Sequence, residues 1–335
     1  LQSIIAYAII RHIIPQGGLC MKKLNPYVYL FSIGHFSVDW AQGAIPALLP
    51  YFISSCHLNY QDAATLIFAN MLLSSISQPI FGYYSDKISK PWFIPLGPVL
   101  CGLCITILGF TDNYWLIFLC SMFSGFGSSI YHPEAARMVN KISGSLKGQA
   151  MGSFSVGGNA GFAIGPMVAG FCAYVFHSYG LIIFGIVNVC IALLLYHHIP
   201  NVLQQIQQVD TEEIKQHIHT GEENDWKSFG KLTVVIFVRS IGFTICNAFI
   251  PIYWIHVLHA SPSQGSLALS ILFSMGVVIT FIGGLLSDRF GFLKVMRGSM
   301  CLMVPAMFLF VNSTNIWLST LLLLPVAFSL FAAYS

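Results

Sequence analysis

Two polar stretches of this sequence decide the fold: GYYSDKISKPW at residues 82–92 and GLLSDRFGFLK at residues 284–294. Each stretch follows a long apolar run and precedes another. In the two stretches, Gly82, Ser85, Asp86 and Lys87 correspond to Gly284, Ser287, Asp288 and Arg289. Further matches occur at the same separation along the chain: Trp115-Leu116 corresponds to Trp317-Leu318, and Phe126 corresponds to Phe328. Because a polar motif recurs in equivalent loops, the sequence indicates an internal repeat.

The composition places this repeat in a membrane. Of the 335 residues, 56% are apolar and only 8% are charged, whereas a soluble domain carries about 25% charged residues. These values exclude a soluble, disordered or fibrous protein. The small net charge of +3 does not indicate nucleic-acid binding. The 9 Cys are scattered through apolar stretches, which indicates packing residues and neither a metal site nor a disulfide framework.

Apolar stretches of about 20 residues are long enough to cross a bilayer as helices. Ten candidates occur, at 26–53, 62–84, 92–111, 114–133, 148–174, 178–198, 232–258, 264–286, 295–312 and 315–335. The chain divides accordingly into a leader or non-native extension (1–20), an N-terminal six-helix bundle (21–200), a cytoplasmic linker (201–231) and a C-terminal bundle with four spans (232–335). The predicted fold class is an all-α polytopic membrane protein.

Lysine and arginine set the orientation of these spans. Apart from Arg11 and Arg239, the other 13 of the 15 lysines and arginines lie before the first span or in every second loop. Cytoplasmic loops carry such an excess, so the amino end of the first span and the linker are predicted to be cytoplasmic.

Since the repeat unit contains six spans, both copies have the same orientation in the membrane. The second copy here has four of its six spans, and we expect two further spans after Ser335.

The repeated motif resembles the signature G-x-L-x-D-R-x-G-R-K of the major facilitator superfamily. The second copy matches it from Gly284 to Gly291; the first has Tyr84, Lys87 and Ser89 in place of Leu, Arg and Gly. The resemblance implies two six-helix bundles, alternating access and a cavity lined by spans 1, 4, 7 and 10. Gly161, Gly165 and Pro166, in the string GFAIGP, also resemble a motif associated with antiporters of that superfamily.

Within the superfamily, the chain resembles the fosmidomycin resistance protein family of efflux transporters. Four strings carry this resemblance: GHFSVDWAQGAIPALLP, GYYSDKISKPWFIPLG, GFGSSIYHPEAAR and VGGNAGFAIGP. One departure concerns proton coupling, because Ser121 stands where proton-coupled exporters of the superfamily often carry a span-4 arginine. Coupling, where present, then rests on other residues.

Few ionisable residues lie at membrane depth, where each is costly and indicates function. His35 and Asp39 share a helix face in span 1, with Asp39 about 18 Å in from Tyr27 by the helical rise. We predict that this pair carries protons and contacts substrate; the alternative is a structural pair in which Asp39 bonds to His35 or Arg239. Arg239 lies about 12 Å in from Lys231. It is predicted to bind an anionic substrate or, alternatively, to be the counter-ion of Asp39.

A second group of residues is predicted to gate the transporter at its cytoplasmic face. By the helical rise, His132 lies about 25 Å from Trp115, and Pro133 suits the first turn of a short interfacial helix. Inner-gate structure is favoured over substrate contact for His132. The predicted gating residues are Asp86, Lys87, Asp288, Arg289, His132, Glu134 and Arg137. Helix packing is predicted for Gly157, Gly161, Gly165 and Pro166, because small residues let helix backbones approach closely.

These features predict a secondary transporter of the bacterial inner membrane, exporting a small anionic or amphiphilic toxic compound against proton entry. The alternative is a proton-coupled uptake carrier for an organic acid or a sugar. An intramembrane enzyme or a polytopic receptor is the more distant alternative, since we find no nucleophile–base pair or metal ligands at depth. The predicted partners are a small-molecule substrate, protons and the lipid bilayer. We expect a monomer with no catalytic residue, cofactor, metal or nucleic-acid partner.

Overall fold

The computed structural model describes residues 24–87, 91–176, 178–215, 225–260 and 262–333. Within these ranges the chain is helical and contains no β-strand. The helices are α1 (Pro26–Ser55), α2 (Tyr60–Lys87), α3 (Phe93–Leu108), α4 (Tyr114–Ile142), α5 (Lys147–Val175), α6 (Ile182–Lys215), α7 (Trp226–His256), α8 (Pro262–Phe290), α9 (Phe292–Val311) and α10 (Ile316–Phe331). A short 3-10 helix, Ser178–Leu181, precedes α6.

The helices have the length and composition of membrane spans. Among the described residues, six helices (α2, α4, α6, α7, α8 and α9) are long and apolar enough to cross a membrane, and α3 and α10 are apolar but shorter. The other two, α1 and α5, carry His35 and Asp39 of the candidate site and the glycines that pack beside them. Each described helix falls on one predicted span, so the all-α polytopic fold class is confirmed.

Asparagine side chains start three of these helices. The Asn25 side-chain oxygen Oδ1 accepts the N–H of Tyr27 at the start of α1. Asn113 and Asn315 cap α4 and α10 in the same way, each accepting two N–H groups of the first turn. Both caps belong to the strings NYWL and NIWL, so the internal repeat extends to the residue that begins the helix. An asparagine at this position satisfies N–H groups that have no partner within the helix.

The helices form two hydrophobic cores. One core is built from α1 to α6 and includes Phe31 and Phe184; the other is built from α7 to α10 and includes Trp254 and Phe310. The two bundles meet where α5 packs against α8. There Asn159 Nδ2 donates to Thr280 Oγ1 at 3.3 Å.

The boundaries of α4 and α6 differ from the sequence prediction. The proposed interfacial helix beginning at Pro133 is wrong, because Pro133 lies inside a continuous α4 that ends at Ile142. A proline is tolerated there because neighbouring helices and side chains can satisfy the backbone group that it frees. Similarly, α6 continues to Lys215, within the stretch assigned to the linker, and Val202 on that extension is fully buried.

Close packing of α5 on α1 depends on the glycines spaced four residues apart. Gly157 faces the backbone of Ser32, and Gly165 faces the backbone of Trp40. A Cβ on Gly161 would lie 2.6 Å from the carbonyl oxygen of Phe36 and 2.7 Å from the Trp40 nitrogen. Because these neighbours are backbone atoms, a side chain at any of the three positions would push the two helices apart.

We therefore expect Gly161→Ala to destabilise the protein by about 1–3 kcal/mol, the usual range for overpacking. The measurement is thermal unfolding of the purified protein in detergent. Gly170→Ala is the matched control, because a Cβ on Gly170 would meet nothing within 4 Å. Equal melting temperatures for the two variants would contradict this account of the α1–α5 contact.

Candidate functional site

Two imidazoles, one from each of two helices, contact one buried carboxylate. His35 Nε2 lies 3.1 Å from Asp39 Oδ2, one turn along α1. His132 Nε2, from α4, lies 3.0 Å from Asp39 Oδ1. Asp39 is only 4% exposed, and each of its carboxylate oxygens lies at hydrogen-bond distance from an imidazole nitrogen. We refer to His35, Asp39 and His132 as the carboxylate cluster.

The hydrogen bonds of His35 fix the position of one proton in this cluster. Its Nδ1 lies 2.8 Å from the carbonyl oxygen of Phe154, which can only accept, so Nδ1 carries a hydrogen. A neutral His35 would then point the lone pair of Nε2 at Asp39. Since Nε2 and Oδ2 are within hydrogen-bond distance, a proton lies between them. The pair therefore holds a proton that either the imidazole or the carboxyl group can carry.

The structure brings His132 into contact with the pair predicted in span 1. The sequence places His132 near the end of a span that is predicted to stop at residue 133. Because α4 runs on to Ile142, His132 lies well inside the helix. Its ring is 4.8 Å from that of His35. The residue interpreted as part of an inner gate therefore belongs to the same cluster as the predicted proton pair.

Neighbouring residues hold the cluster in place. The Phe154 ring on α5 stacks on His35, with ring centroids 4.2 Å apart. A Cβ on Gly158, one turn further along α5, would lie 2.7 Å from His35 Cε1, so only glycine leaves room for the imidazole. On α4, the Tyr131 hydroxyl donates to the Phe31 carbonyl at 2.7 Å and fixes α4 against α1 next to His132.

The cluster also has the composition of a small metal site, since its three ligand atoms lie within 4.8 Å of one another. However, both imidazole Nε2 atoms already lie at hydrogen-bond distance from the carboxylate. Protons satisfy this arrangement without an ion. The three side chains therefore satisfy one another through hydrogen bonds.

Arg239 lies apart from the cluster in this structure. Its Nη1 donates to the carbonyl oxygen of Leu330 at 3.5 Å, which links α7 to α10. The Asp39 carboxylate is instead paired with His35 and His132. The alternative in which Arg239 is the counter-ion of Asp39 is therefore wrong, because histidines from α1 and α4 take that position.

Glu134 joins α2 to α4 beyond the cluster. It is completely buried, and the Arg137 guanidinium donates to its Oε1 at 2.9 Å. The Ser85 hydroxyl, from the repeated motif, donates to its other oxygen. Asp86 and Lys87 end α2, and their side chains lie outside the described part of the structure. Predicted gating residues Glu134 and Arg137 thus contact the motif through its serine.

In the second copy of the motif, Asp288 connects the two bundles. Its two carboxylate oxygens accept the backbone N–H groups of Gly148 and Gln149, both at 2.7 Å. These N–H groups are in the first turn of α5, where a helix carries a partial positive charge. The neighbouring Arg289 is exposed and lies 5.2 Å from the Phe290 ring centroid. Asp288 is therefore the motif residue that holds α8 to α5.

Sequence reasoning missed two polar contacts between helices. Trp40 Nε1 donates to Asn188 Oδ1 at 2.6 Å, and the Asn188 amide in turn donates to the carbonyls of Ser37 and Pro98. Asn159 reaches Thr280 in the other bundle. An asparagine within an otherwise apolar span was the available signal, since a polar side chain at that depth needs partners.

Comparison with known families agrees with this architecture. The profile of the Major Facilitator Superfamily matches residues 31–335. The chain belongs to the Major Facilitator Superfamily. The resemblance drawn from the repeated motif is thus confirmed, and the protein is a multi-pass membrane transporter of that superfamily.

Relatives within the superfamily include transporters of several kinds. YfnC of Bacillus subtilis (strain 168), an uncharacterized MFS-type transporter, is 28% identical over 284 residues, covering 84% of this chain and 69% of that protein. The fosmidomycin resistance protein of Escherichia coli (strain K12) is 33% identical over 138 residues, covering 41% of this chain and 34% of that protein. The quinolone resistance protein NorA of Staphylococcus aureus (strain MSSA476) is 22% identical over 252 residues, covering 74% of this chain and 63% of that protein. The match thus spans less than two thirds of either resistance protein.

A solved structure shows the same fold. The crystal structure of the human organic anion transporter MFSD10 (TETRAN) aligns with a TM-score of 0.67 at 12% sequence identity, covering 92% of this chain and 84% of that one. At this identity the similarity concerns the fold.

The Asp288 contact leads to a prediction about opening between the bundles. Asp288→Asn removes the charge that faces the start of α5, and one amide oxygen replaces two carboxylate oxygens. We expect normal membrane expression but faster labelling of a cysteine introduced at Gln149. The measurement is the rate of modification by a membrane-impermeant maleimide. Asp225→Asn, at the start of α7, is the control, and labelling equal to that of the unchanged protein would contradict the role of Asp288.

Proposed function

We propose that this transporter is a proton-coupled secondary carrier that exports a small anionic or amphiphilic toxic compound. In this proposal it acts as a monomer in the bacterial inner membrane, with the amino end of α1 and the linker in the cytoplasm. The distribution of lysine and arginine supports that orientation. Residues 21–200 and 232–335 are proposed to form the two bundles that move relative to each other, joined by the linker.

The observation that carries the proposal is the carboxylate cluster. An ionised carboxylate in the bilayer is costly unless its charge is balanced. With a proton between His35 and Asp39, the cluster has no net charge when His132 is neutral. Loading or losing a proton therefore changes the charge of a buried site that touches α1, α4 and α5. Such a change favours one arrangement of the helices over another, which is what a proton-driven carrier requires.

Several of the other predicted residues fit supporting roles in this proposal. Arg239 supplies a guanidinium fork, suited to phosphonate or carboxylate oxygens. Asp288 and the Glu134–Arg137 pair act as latches, together with Asp86, Lys87 and Arg289. The glycines Gly157, Gly161 and Gly165, with Pro166, keep α5 against α1 and so complete the wall behind His35.

The resistance proteins among the relatives suggest the compound to test. One is named for fosmidomycin and another for quinolones, both of them toxic compounds. Fosmidomycin is a small phosphonate and therefore fits the predicted role of Arg239. The sequence contains no G-x-x-x-x-G-K-[ST] motif for ATP binding. In this proposal the proton gradient drives transport.

The main test measures fosmidomycin tolerance in cells and fosmidomycin transport in proteoliposomes, using the product of the complete coding sequence. Expression in a sensitive bacterium is expected to raise fosmidomycin tolerance several-fold, and a protonophore is expected to remove this gain. In proteoliposomes, Asp39→Asn should abolish gradient-driven transport but retain exchange of labelled for unlabelled fosmidomycin. A neutral amide can still accept a hydrogen bond but cannot exchange the proton.

Asp62→Asn, in the first turn of α2, is the matched control and should transport normally. Gradient-driven transport that survives in Asp39→Asn would place the coupling site elsewhere. Unchanged tolerance to fosmidomycin, quinolones and organic anions, with insertion verified, would reject the export proposal and leave the superfamily assignment intact.

Arg239→Lys tests the anion contact separately. The positive charge remains but the bidentate fork is lost, so fosmidomycin affinity should fall by about tenfold, the loss of roughly one charge-assisted hydrogen bond. Equilibrium binding to the purified protein measures this effect. Arg297→Lys on α9, where the arginine is exposed, should leave affinity unchanged. Full affinity in Arg239→Lys would mean that another group binds the phosphonate.

A further inference from the structure

The carboxylate cluster presents three ligand atoms of the kinds that transition metals bind. They are the Nε2 atoms of His35 and His132 and a carboxylate oxygen of Asp39, and they lie within 4.8 Å of one another. Imidazole and carboxylate ligands suit divalent cations such as Zn²⁺, whereas Mg²⁺ and Ca²⁺ prefer sites made of oxygen alone. The sequence alone predicts no metal site, because His132 lies 93 residues from Asp39 and reaches it only where α4 crosses α1.

His35 is held in the tautomer that a metal ligand needs. Its Nδ1 donates to the Phe154 carbonyl oxygen at 2.8 Å, so the lone pair of a neutral ring lies on Nε2 and points at Asp39. Metal-binding histidines almost always donate their other ring N–H in this way, because the bond fixes the tautomer and orients the ring. Stacking of the imidazole on the Phe154 ring holds the same orientation.

His132 has a hydrogen-bond partner in the corresponding position. Its Nδ1 lies 3.1 Å from the Ser128 hydroxyl, and a hydroxyl oxygen can accept an N–H. With the hydrogen on Nδ1, the lone pair of Nε2 faces Asp39 Oδ1 at 3.0 Å. Both imidazoles therefore have an acceptor for Nδ1–H, and both Nε2 atoms converge on one carboxylate.

The spacing of the ligand atoms is close to that of a small metal site. Zn²⁺ binds nitrogen and oxygen ligands at about 2.0–2.2 Å, which places neighbouring ligand atoms roughly 3.3 Å apart in a tetrahedral site. The imidazole–carboxylate distances are 3.1 Å for His35 and 3.0 Å for His132. The Asp39 carboxylate also supplies the negative charge that a buried cation needs.

Space and access at the cluster also suit an ion. A Cβ on Gly158 would lie 2.5 Å from Asp39 Oδ2 and closer still to His35 Nε2, so a glycine on α5 leaves both ligand atoms uncovered. His132 borders a cavity of about 520 Å³ between α2 and α4. This cavity provides an entry path and room for a water molecule as a fourth ligand.

We propose that His35, Asp39 and His132 form a binding site for one divalent transition-metal ion of the Zn²⁺ type, with a fourth coordination position open to the cavity. A bound ion takes the place of the proton between His35 and Asp39, which is released to solvent, and joins α1 to α4 through metal–ligand bonds. The inference concerns metal binding and stands independently of the proposed export function.

The test uses Co²⁺ as a spectroscopic probe of the purified product of the complete coding sequence, with any histidine tag removed. Titrations are made in detergent at about pH 7.5, where an ordinary histidine is neutral. The visible absorption of Co²⁺ intensifies when protein ligands replace water in a four-coordinate site, so the titration gives stoichiometry and affinity. We expect one Co²⁺ per chain, displaced by Zn²⁺ but not by excess Mg²⁺ or Ca²⁺.

Two variants on α4 test the ligand and its hydrogen-bond partner. His132→Gln should weaken Co²⁺ binding by more than about 100-fold, since even the loss of a ligand's hydrogen-bond partner costs roughly 10–100-fold. Ser128→Ala removes that partner but keeps all three ligands, and should weaken binding by about tenfold. Ser129→Ala is its matched control. It removes a buried hydroxyl that bonds to the Phe126 carbonyl, and it should bind Co²⁺ normally.

Melting temperatures distinguish loss of the site from loss of the fold. Zn²⁺ should raise the melting temperature of the unchanged protein, because an ion that binds the folded chain stabilises it. It should not raise that of His132→Gln. His197→Gln, which removes an exposed histidine on α6, should respond to Zn²⁺ and Co²⁺ as the unchanged protein does.

Four results would each overturn the inference. They are the absence of saturable Co²⁺ binding, displacement of Co²⁺ by Mg²⁺, unchanged affinity in His132→Gln, and equal affinities in Ser128→Ala and Ser129→Ala. None of these measurements involves a substrate or a proton gradient, so rejection of the metal site leaves the proposed export function to its own test.

Discussion

The structure of the N-terminal bundle depends on keeping one carboxylate, Asp39, inside a membrane protein. A buried negative charge needs a partner, and here the partners are imidazoles from two helices. The requirement fixes the distance between α1 and α4 at this level. It also requires a hydrogen-bond acceptor behind His35, which the Phe154 carbonyl of α5 supplies. Three helices are therefore positioned by one ionisable group.

Close helix packing makes this arrangement possible. The glycines of α5 bring its backbone against α1, so that a main-chain carbonyl reaches an imidazole nitrogen. Larger residues at Gly157 or Gly161 would move Phe154 away from His35, and the tautomer of the ring would no longer be fixed. The small-residue stripe thus has an electrostatic consequence in addition to its role in packing.

Much of the fold was predictable because its signals are periodic or repeated. Apolar length gave the spans, and the recurring Gly-Ser-Asp motif gave the repeat and the family resemblance. The pairing of His35 with Asp39 followed from their spacing of one helical turn. Residues far apart in sequence were harder to place. Nothing in the sequence near His132 states that it meets Asp39, since that contact depends on how α4 crosses α1.

Two errors had a common physical cause. The predicted spans end where apolar residues give way to polar ones or to proline, at 133 in span 4 and 198 in span 6. Helices α4 and α6 instead continue into polar sequence, because their buried faces still have partners: Met138 and Val139 on α4, Val202 on α6. The length of an apolar stretch therefore predicts the apolar part of a helix but does not predict where the helix ends.

The contact between Asp288 and the start of α5 depends on residue identity on the α8 side much more than on the α5 side. On the α5 side the donors are main-chain N–H groups, which every residue except proline possesses. A substitution on α5 to any residue other than proline can disturb this contact only by size, as at Gly148, where a Cβ would lie 2.8 Å from Asp288 Oδ1. On the α8 side the acceptor is a single side chain. Genetic variation at this junction is therefore expected to be tolerated at Gln149 and selected against at Asp288, although both residues take part in the same contact.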